Sequence, residues 1–350
     1  MDRKNTKIIS IGKVRIGGKK PIAVQSMTKT YTHDINATVR QIQKLQDAGC
    51  DIVRCAVPEE KDALAIRQIK KYIKIPLVAD IHFNYRLALM AIEAGADKIR
   101  INPGNIGGAE KLKAVVSACK ERNIPIRIGV NSGSLEIEIL KKYRHPTANA
   151  LVESAMKNIR ILEKLKFHDI VISIKSTSVP VTIQAYRMLS KRVDYPLHVG
   201  ITEAGISTSG MIRSSVGIGA LLAEGIGDTI RVSLTGDPVN EVIVGKEILR
   251  SLELIKSGVT IISCPTCGRC EIDVEKIAKA VQESTRGVKK PVKIAIMGCA
   301  VNGPGEAADA DVGLAGGKGT GLIFRNGKIV KKVPESRMLK ELMKEVRKIK

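Results

Sequence analysis

The sequence contains no tryptophan, and its aromatics are three Phe and six Tyr, 3% of 350 residues. Its core must therefore be aliphatic. Stacking unpaired bases needs aromatic rings interleaved with Arg and Lys, so a binder of single-stranded nucleic acid has little here to work with. No apolar run approaches the ~20 residues that cross a bilayer, and the opening Asp2-Arg3-Lys4-Asn5-Thr6-Lys7 lacks a signal peptide's apolar stretch. A cytoplasmic protein with no membrane partner is expected. Seven cysteines in that reducing compartment are poor material for disulfides, and three of them crowd into residues 264–270. Acidic residues are scarce, 35 against 58 basic, for a formal net charge of +23. That excess favours anionic partners: phosphorylated substrates, an acidic redox protein or nucleic acid. Part of it, in the basic tail 331–350, reads as the solvated face of an amphipathic helix.

Residues 21–252 alternate short apolar runs with longer segments whose apolar residues recur three and four apart. Eight strands are expected near 21–27, 52–57, 76–82, 98–103, 126–133, 169–176, 197–204 and 229–234, each followed by a helix such as 61–72 or 85–94. Eight parallel units in one domain predict a (β/α)8 TIM barrel. An open dinucleotide-binding sheet would carry a glycine-rich turn after its first strand, where this chain has Ser26-Met27-Thr28-Lys29-Thr30. Residues 7–22, with Gly17-Gly18 taken as the turn, read as a hairpin able to plug the barrel floor. After Ser257-Gly258 comes a cysteine-bearing loop, then a helix near 273–283, strands 293–297 and 322–324 and a last helix, an α+β pattern. Glycine-rich 313–321 lacks Walker spacing and reads as a turn. The expected domains are 1–255 and 256–350.

Residues two apart on a strand share a face. Asp80 and His82, Arg100 and Asn102, Arg127 and Asn131, Ser173 and Lys175, and Arg231 and Ser233 fall in phase near strand C-terminal ends, while Ile99, Ile101, Ile128, Ile174 and Val232 take the opposite face. Arg54 and Glu203 end two further strands. In this fold the C-terminal strand ends form the active-site face, so these side chains should converge. Arg54, Arg100, Arg127, Lys175 and Arg231 would bring five cations together. Unpaired buried charge costs several kcal/mol or more, and arginine forks match phosphate oxygens, so a substrate with more than one phosphate is the natural counterion.

Cys264, Cys267 and Cys270 form a Cys-x-x-Cys-x-x-Cys run, and Cys299 lies in Gly298-Cys299-Ala300-Val301-Asn302-Gly303-Pro304-Gly305-Glu306. Thiolates so spaced suit either zinc or an iron–sulfur cluster, with Cys270 counted among four ligands. The bacterial ferredoxin pattern fails, because Val274 stands where it needs a cysteine. Cys50, Cys55 and Cys119 read as small core residues.

Six segments, Val24-Gln25-Ser26-Met27-Thr28, Ala79-Asp80-Ile81-His82-Phe83, the run from Arg100 to Gly107, Gly129-Val130-Asn131-Ser132-Gly133, the run from Ser263 to Arg269 and that from Gly298 to Glu306, resemble in order those of the 4-hydroxy-3-methylbut-2-enyl diphosphate synthases. The resemblance spans nearly the whole chain. It implies an iron–sulfur oxidoreductase of the methylerythritol phosphate route to isoprenoids. Such an enzyme opens 2-C-methyl-D-erythritol 2,4-cyclodiphosphate reductively, with electrons from reduced flavodoxin or ferredoxin. It further implies a 4Fe-4S cluster on Cys264, Cys267 and Cys299, with Glu306 as fourth ligand and Cys270 demoted to a nearby thiol. Glu203 and His82 would handle protons, with Asp80 orienting. In the family the partner subunit's cluster closes each barrel, which makes a head-to-tail homodimer the expected form. A non-redox barrel transferase with a structural zinc, and a basic nucleic-acid binder with a zinc knuckle, are the competing readings.

Overall fold

The computed structural model describes residues 2–285, 287, 288, 290–299, 305 and 307–349, Ser207 by its backbone alone. Two units divide the chain, Met1–Leu254 and Ile255–Lys350.

A short antiparallel hairpin, β1 (Ile9–Ile11) and β2 (Val14–Ile16), opens the first unit. Its turn is Gly12-Lys13; Gly17-Gly18 instead ends the second strand, with φ of +78° and +55°. A Cβ at Gly17 would lie 1.9 Å from the Lys7 carbonyl oxygen, so only glycine permits that close pass. Ile9, Ile11 and Ile16 pack on Ala23, Ile52, Val78 and Val171, the lowest inward residues of four barrel strands. The hairpin thus closes the floor, each buried isoleucine contributing roughly 1.5–3 kcal/mol.

Eight parallel strands follow: β3 (Ala23–Met27), β4 (Ile52–Ala56), β5 (Leu77–Asp80), β6 (Lys98–Ile101), β7 (Ile126–Asn131), β8 (Ile170–Lys175), β9 (His198–Val199) and β10 (Thr229–Ile230). They run in the order β8-β7-β6-β5-β4-β3-β10-β9. The ring closes between β8 and β9, where Ile172 N donates to Pro196 O at 3.0 Å. Helices α1 (Ile35–Asp47), α2 (Glu60–Tyr72), α3 (Tyr85–Glu93), α4 (Ala109–Glu121), α5 (Ile137–Tyr143), α6 (Ala148–Lys164), α7 (Val179–Ser190), α8 (Ser207–Ala223) and α9 (Pro238–Ser251) fill the crossovers. Several begin on side-chain caps: Asp34, Ser178 and Asp237 accept from Ala37 N, Val181 N and Val239 N, and Pro238 starts α9 where its missing N–H costs nothing. The strands β9 and β10 are shorter than the periodicity predicts. Regular pairing stops at Gly200, where a Cβ would lie 2.4 Å from the Arg231 carbonyl oxygen, and the residues beyond turn into the barrel mouth.

The second unit is a five-stranded sheet in sequential order, β11 (Val259–Ser263), β12 (Val292–Met297), β13 (Val312–Gly317), β14 (Thr320–Arg325) and β15 (Lys328–Pro334). The first three are parallel and the rest antiparallel. Helices α10 (Val274–Ser284) and α11 (Met338–Lys348) cover it over a core that includes Ile294, Ile296, Leu314, Ile323 and Leu342. Three strands escape the periodicity, β11, β13 and β15. The edge strand β15 takes Lys331 and Lys332 out of the expected helix, and lysines on an edge discourage pairing with another sheet. Gly313 and Gly321 lie within strands, and a Cβ at Gly313 would meet the Phe324 ring at 2.1 Å, so only Lys318-Gly319 of that stretch is a turn. Among the described residues no helix is long and apolar enough to cross a membrane.

Candidate active site

The strand parity brings its polar residues to one place. A cavity of about 180 Å³ at the C-terminal ends of the strands is lined by Arg54, Asp80, His82, Arg100, Arg127, Asn131, Ser173, Lys175, Thr202, Arg231 and Ser233. Two expected members lie outside it. Asn102 is buried at the start of a 3-10 turn, where its side chain accepts from Gly104 N at 3.3 Å, and so shapes the loop beside the mouth. Glu203 is exposed, one residue past Thr202, with a φ of +50° that non-glycine residues rarely adopt. Thr202 was not expected, because β9 offers no alternation from which to read its direction.

Asp80 organises one side of the cavity. Its carboxylate accepts from Arg100 Nη1 at 3.0 Å and lies 3.5 Å from Arg54 Nε and 3.7 Å from His82 Nε2. Burial by itself would raise its pKa, but Arg54, the His82 hydrogen bond, Arg100 and Arg127 together hold it far below the usual carboxylate range. Arg54 also donates to Met27 Sδ at 2.9 Å. Its burial, aided by Arg231 and Arg100, lowers its pKa to about 10 despite Asp80. On the opposite side Arg231 lies 3.5 Å from Glu241, a buried acid on α9 that accepts from Ser26 Oγ at 2.9 Å and from Leu234 N at 3.2 Å. In sequence Glu241 reads as an ordinary acid in a first helical turn, which is why it passed unnoticed. Among the described residues no carboxylate lies within salt-bridge distance of Lys175 or Arg127. Burial first, then the surrounding arginines, push both well below their ordinary values.

Two glycines make the room. A Cβ at Gly129 would sit 2.3 Å from Arg100 Nε, and one at Gly200 would sit 2.8 Å from Lys175 Nζ. These strands carry glycine because a guanidinium and an ammonium lie flat across them.

In the second unit Cys264 follows β11, and its sulfur accepts from Gly298 N at 3.1 Å. Cys267 is exposed, and Cys299 is half-buried beside Gly298. Cys270 packs against the apolar core as Cys264 does, but its thiol donates to Ile272 O at 3.1 Å. A Cβ at Gly298 would lie 2.4 Å from Cys270 Sγ and 3.2 Å from Cys264 Sγ, so glycine alone leaves space between these sulfurs. Glu306 lies outside the described residues. Among the described residues no three His, Cys, Asp or Glu side chains are gathered as for a metal ion. The donor chemistry nevertheless suits iron and sulfide, since thiols supply the donors and a backbone N–H already points at the Cys264 sulfur. Cys50, Cys55 and Cys119 are buried in the barrel, and burial pushes each thiol up to about 12, which makes them inert packing.

Comparison with known families decides what this pair of features belongs to. A model described as the GcpE TIM-barrel domain matches residues 6–246, and one described as the GcpE protein C-terminal domain matches residues 260–348. The chain belongs to the GcpE family. This GcpE chain is 63% identical over 347 residues to a protein of Caldanaerobacter subterraneus named 4-hydroxy-3-methylbut-2-en-1-yl diphosphate synthase (flavodoxin), covering 99% of this chain and 98% of that one. A protein of Clostridium perfringens with the same name is 60% identical, covering 98% and 99%. Among solved structures, a dihydropteroate synthase from Stenotrophomonas maltophilia superposes with a TM-score of 0.52 at 13% identity, covering 71% of this chain and 97% of that one. That likeness concerns the barrel fold alone.

For this GcpE chain, Gly129→Ala is expected to lower kcat/KM about tenfold to a hundredfold, by displacing the Arg100 guanidinium, with a melting temperature changed far less. Steady-state kinetics beside a thermal melt would check it; an unchanged kcat/KM would mean that Arg100 is free to move.

Proposed function

We infer that this chain makes 4-hydroxy-3-methylbut-2-enyl diphosphate by reductive ring opening and dehydroxylation of 2-C-methyl-D-erythritol 2,4-cyclodiphosphate, two electrons from reduced flavodoxin or ferredoxin and two protons entering and one water leaving, and that the barrel mouth holds the cyclic diphosphate. The observation that carries this reading is a small cavity with five cations at its wall and, among the described residues, only Asp80 and Glu241 paired with them. Two phosphates supply the missing charge. Arg54 and Arg100, locked by Asp80, clamp one side, and Arg127, Lys175 and Arg231 the other, while Asn131, Ser173 and Ser233 add uncharged donors. As the bond between carbon and the phosphate oxygen breaks, the same cations stabilise the negative charge left on that oxygen. His82, exposed at the rim and hydrogen-bonded to Arg100 at 3.1 Å, moves a proton between solvent and the cavity. Glu203, next to Thr202, is assigned the second proton-carrying role.

The residues that would hold a 4Fe-4S cluster are Cys264, Cys267, Cys299 and Glu306. Bound there, the cluster supplies electrons one at a time and an iron of Lewis-acid character. Cys270, tied to Ile272, is excluded from the set. Its free thiols and a flavodoxin donor fit a cytoplasmic enzyme, and its basic surface attracts an acidic electron carrier.

Anaerobically purified protein should contain about four iron and four sulfide per chain and turn over with reduced flavodoxin. A preparation carrying zinc and turning over without electrons would overturn the assignment. By family resemblance the active form is a head-to-tail homodimer in which each barrel works with the partner's cluster. Co-expressed chains, one bearing Arg100→Met and one Cys267→Ser, should then regain about a quarter of normal activity, because random pairing makes half the dimers mixed and each mixed dimer has one intact site of two. Absence of any recovery would refute the shared site.

A further inference from the structure

The mouth residues do not use up the polar groups inside the barrel. One inward step toward the floor from Arg100 lies Lys98, fully buried, whose amine has no hydrogen-bond partner among the described residues. One inward step before Gly200 lies His198, also fully buried, its Nδ1 2.6 Å from the Thr229 hydroxyl and its Nε2 without a partner among the described residues. Arg127, which lines the cavity and whose charge acts on both, likewise has no partner there for Nε and Nη1. Below them the barrel is apolar, filled by Ala23, Ile52, Val78, Val171 and the hairpin.

The charges that act most strongly on these groups have one sign. Arg127 from β7 and Arg54 from β4 act on Lys98, and its register neighbour on β5 is the apolar Val78. Arg127, Lys175, Lys98 and Arg54, from β7, β8, β6 and β4, act on His198, to which β10 adds only the Thr229 hydroxyl. Burial first and these charges second drive both groups well below their ordinary values, so the protonated form of each is disfavoured in the free protein. Arginine cannot yield its proton, so lysine and histidine are the groups that give way. A bound dianion reverses this balance, because negative charge arriving above Arg127 favours the protonated amine and imidazolium beneath it.

We propose that Lys98 and His198 form a buried proton store beneath the substrate's phosphates, loading from solvent when the cyclic diphosphate binds. The proposal rests on the placement of that substrate in the cavity. Binding is then coupled to uptake of about one proton per chain, and affinity falls as pH rises through the range in which the free protein is unprotonated and the complex is not.

Titration calorimetry of the full-length protein with 2-C-methyl-D-erythritol 2,4-cyclodiphosphate, in buffers of different ionisation enthalpy, measures the uptake directly. Wild type should take up close to one proton between pH 7 and 8, and Lys98→Met or His198→Asn should lose most of it and flatten the dependence of Kd on pH. Normal affinity with no proton exchange in wild type overturns the store, without reliance on any variant. Uptake unchanged in both variants overturns it too. An affinity untouched by Arg231→Ala would instead remove the substrate from this cavity, and the store with it.

Discussion

Cys267→Ser is expected to remove the visible iron–sulfur absorption and turnover together, with iron content falling to background, while Cys270→Ser leaves both near wild type. The two residues stand three apart in one loop, yet their surroundings differ. Cys267 is exposed and free to meet a cluster, whereas Cys270 donates to Ile272 O and rests on the core of the second unit. A thiol already bonded and packed must give up both interactions to ligate, at a cost of about 1–3 kcal/mol. Glu306→Ala tests the remaining position: a carboxylate is a harder, weaker donor than a thiolate, so iron content should survive substantially while turnover is lost. The readout is iron and sulfide analysis with electronic spectra, independent of the assay. Loss of the cluster in Cys270→Ser would show that the ligand set is wrong.

Arg100→Met carries the second large effect, a fall in kcat/KM on the order of a thousandfold, about 4 kcal/mol of transition-state stabilisation. Arg100 reaches Asp80, His82 and the Gly129 carbonyl, so its guanidinium is fixed before substrate arrives. A preset donor pays no reorganisation when charge develops on the leaving oxygen. Arg100→Lys should recover only part of the loss, because an ammonium cannot bridge Asp80 and a phosphate with one planar fork. Asp80 keeps Arg54 and His82 in the variant, so the protein should still fold, and circular dichroism with a thermal melt would establish that. By contrast His82→Gln, at a rim position 57% exposed, should cost only about tenfold. A smaller loss for Arg100→Met than for His82→Gln would displace Arg100 from the phosphate clamp.

The sequence by itself determined the barrel, because strand parity is a local property: once Arg100 points inward, Ile99 and Ile101 must point out, and the same holds for Arg127 and Ile128. It likewise marked most of the cavity wall and the four cysteines near residues 264–299. Local pattern could not reveal what depends on partners far along the chain. Glu241 balances Arg231 from a helix, and Thr202 lines the mouth from a segment that leaves its strand at Gly200. Asn102 has the right parity yet is captured by its own turn. Cys270 has the spacing of a ligand, and only the fold shows its thiol turned to Ile272. Lys98 looks like any strand lysine until the closed barrel buries it beside the charges of Arg127 and Arg54. Periodicity reports which way a side chain points; what it meets there is decided by residues that only the tertiary fold brings near.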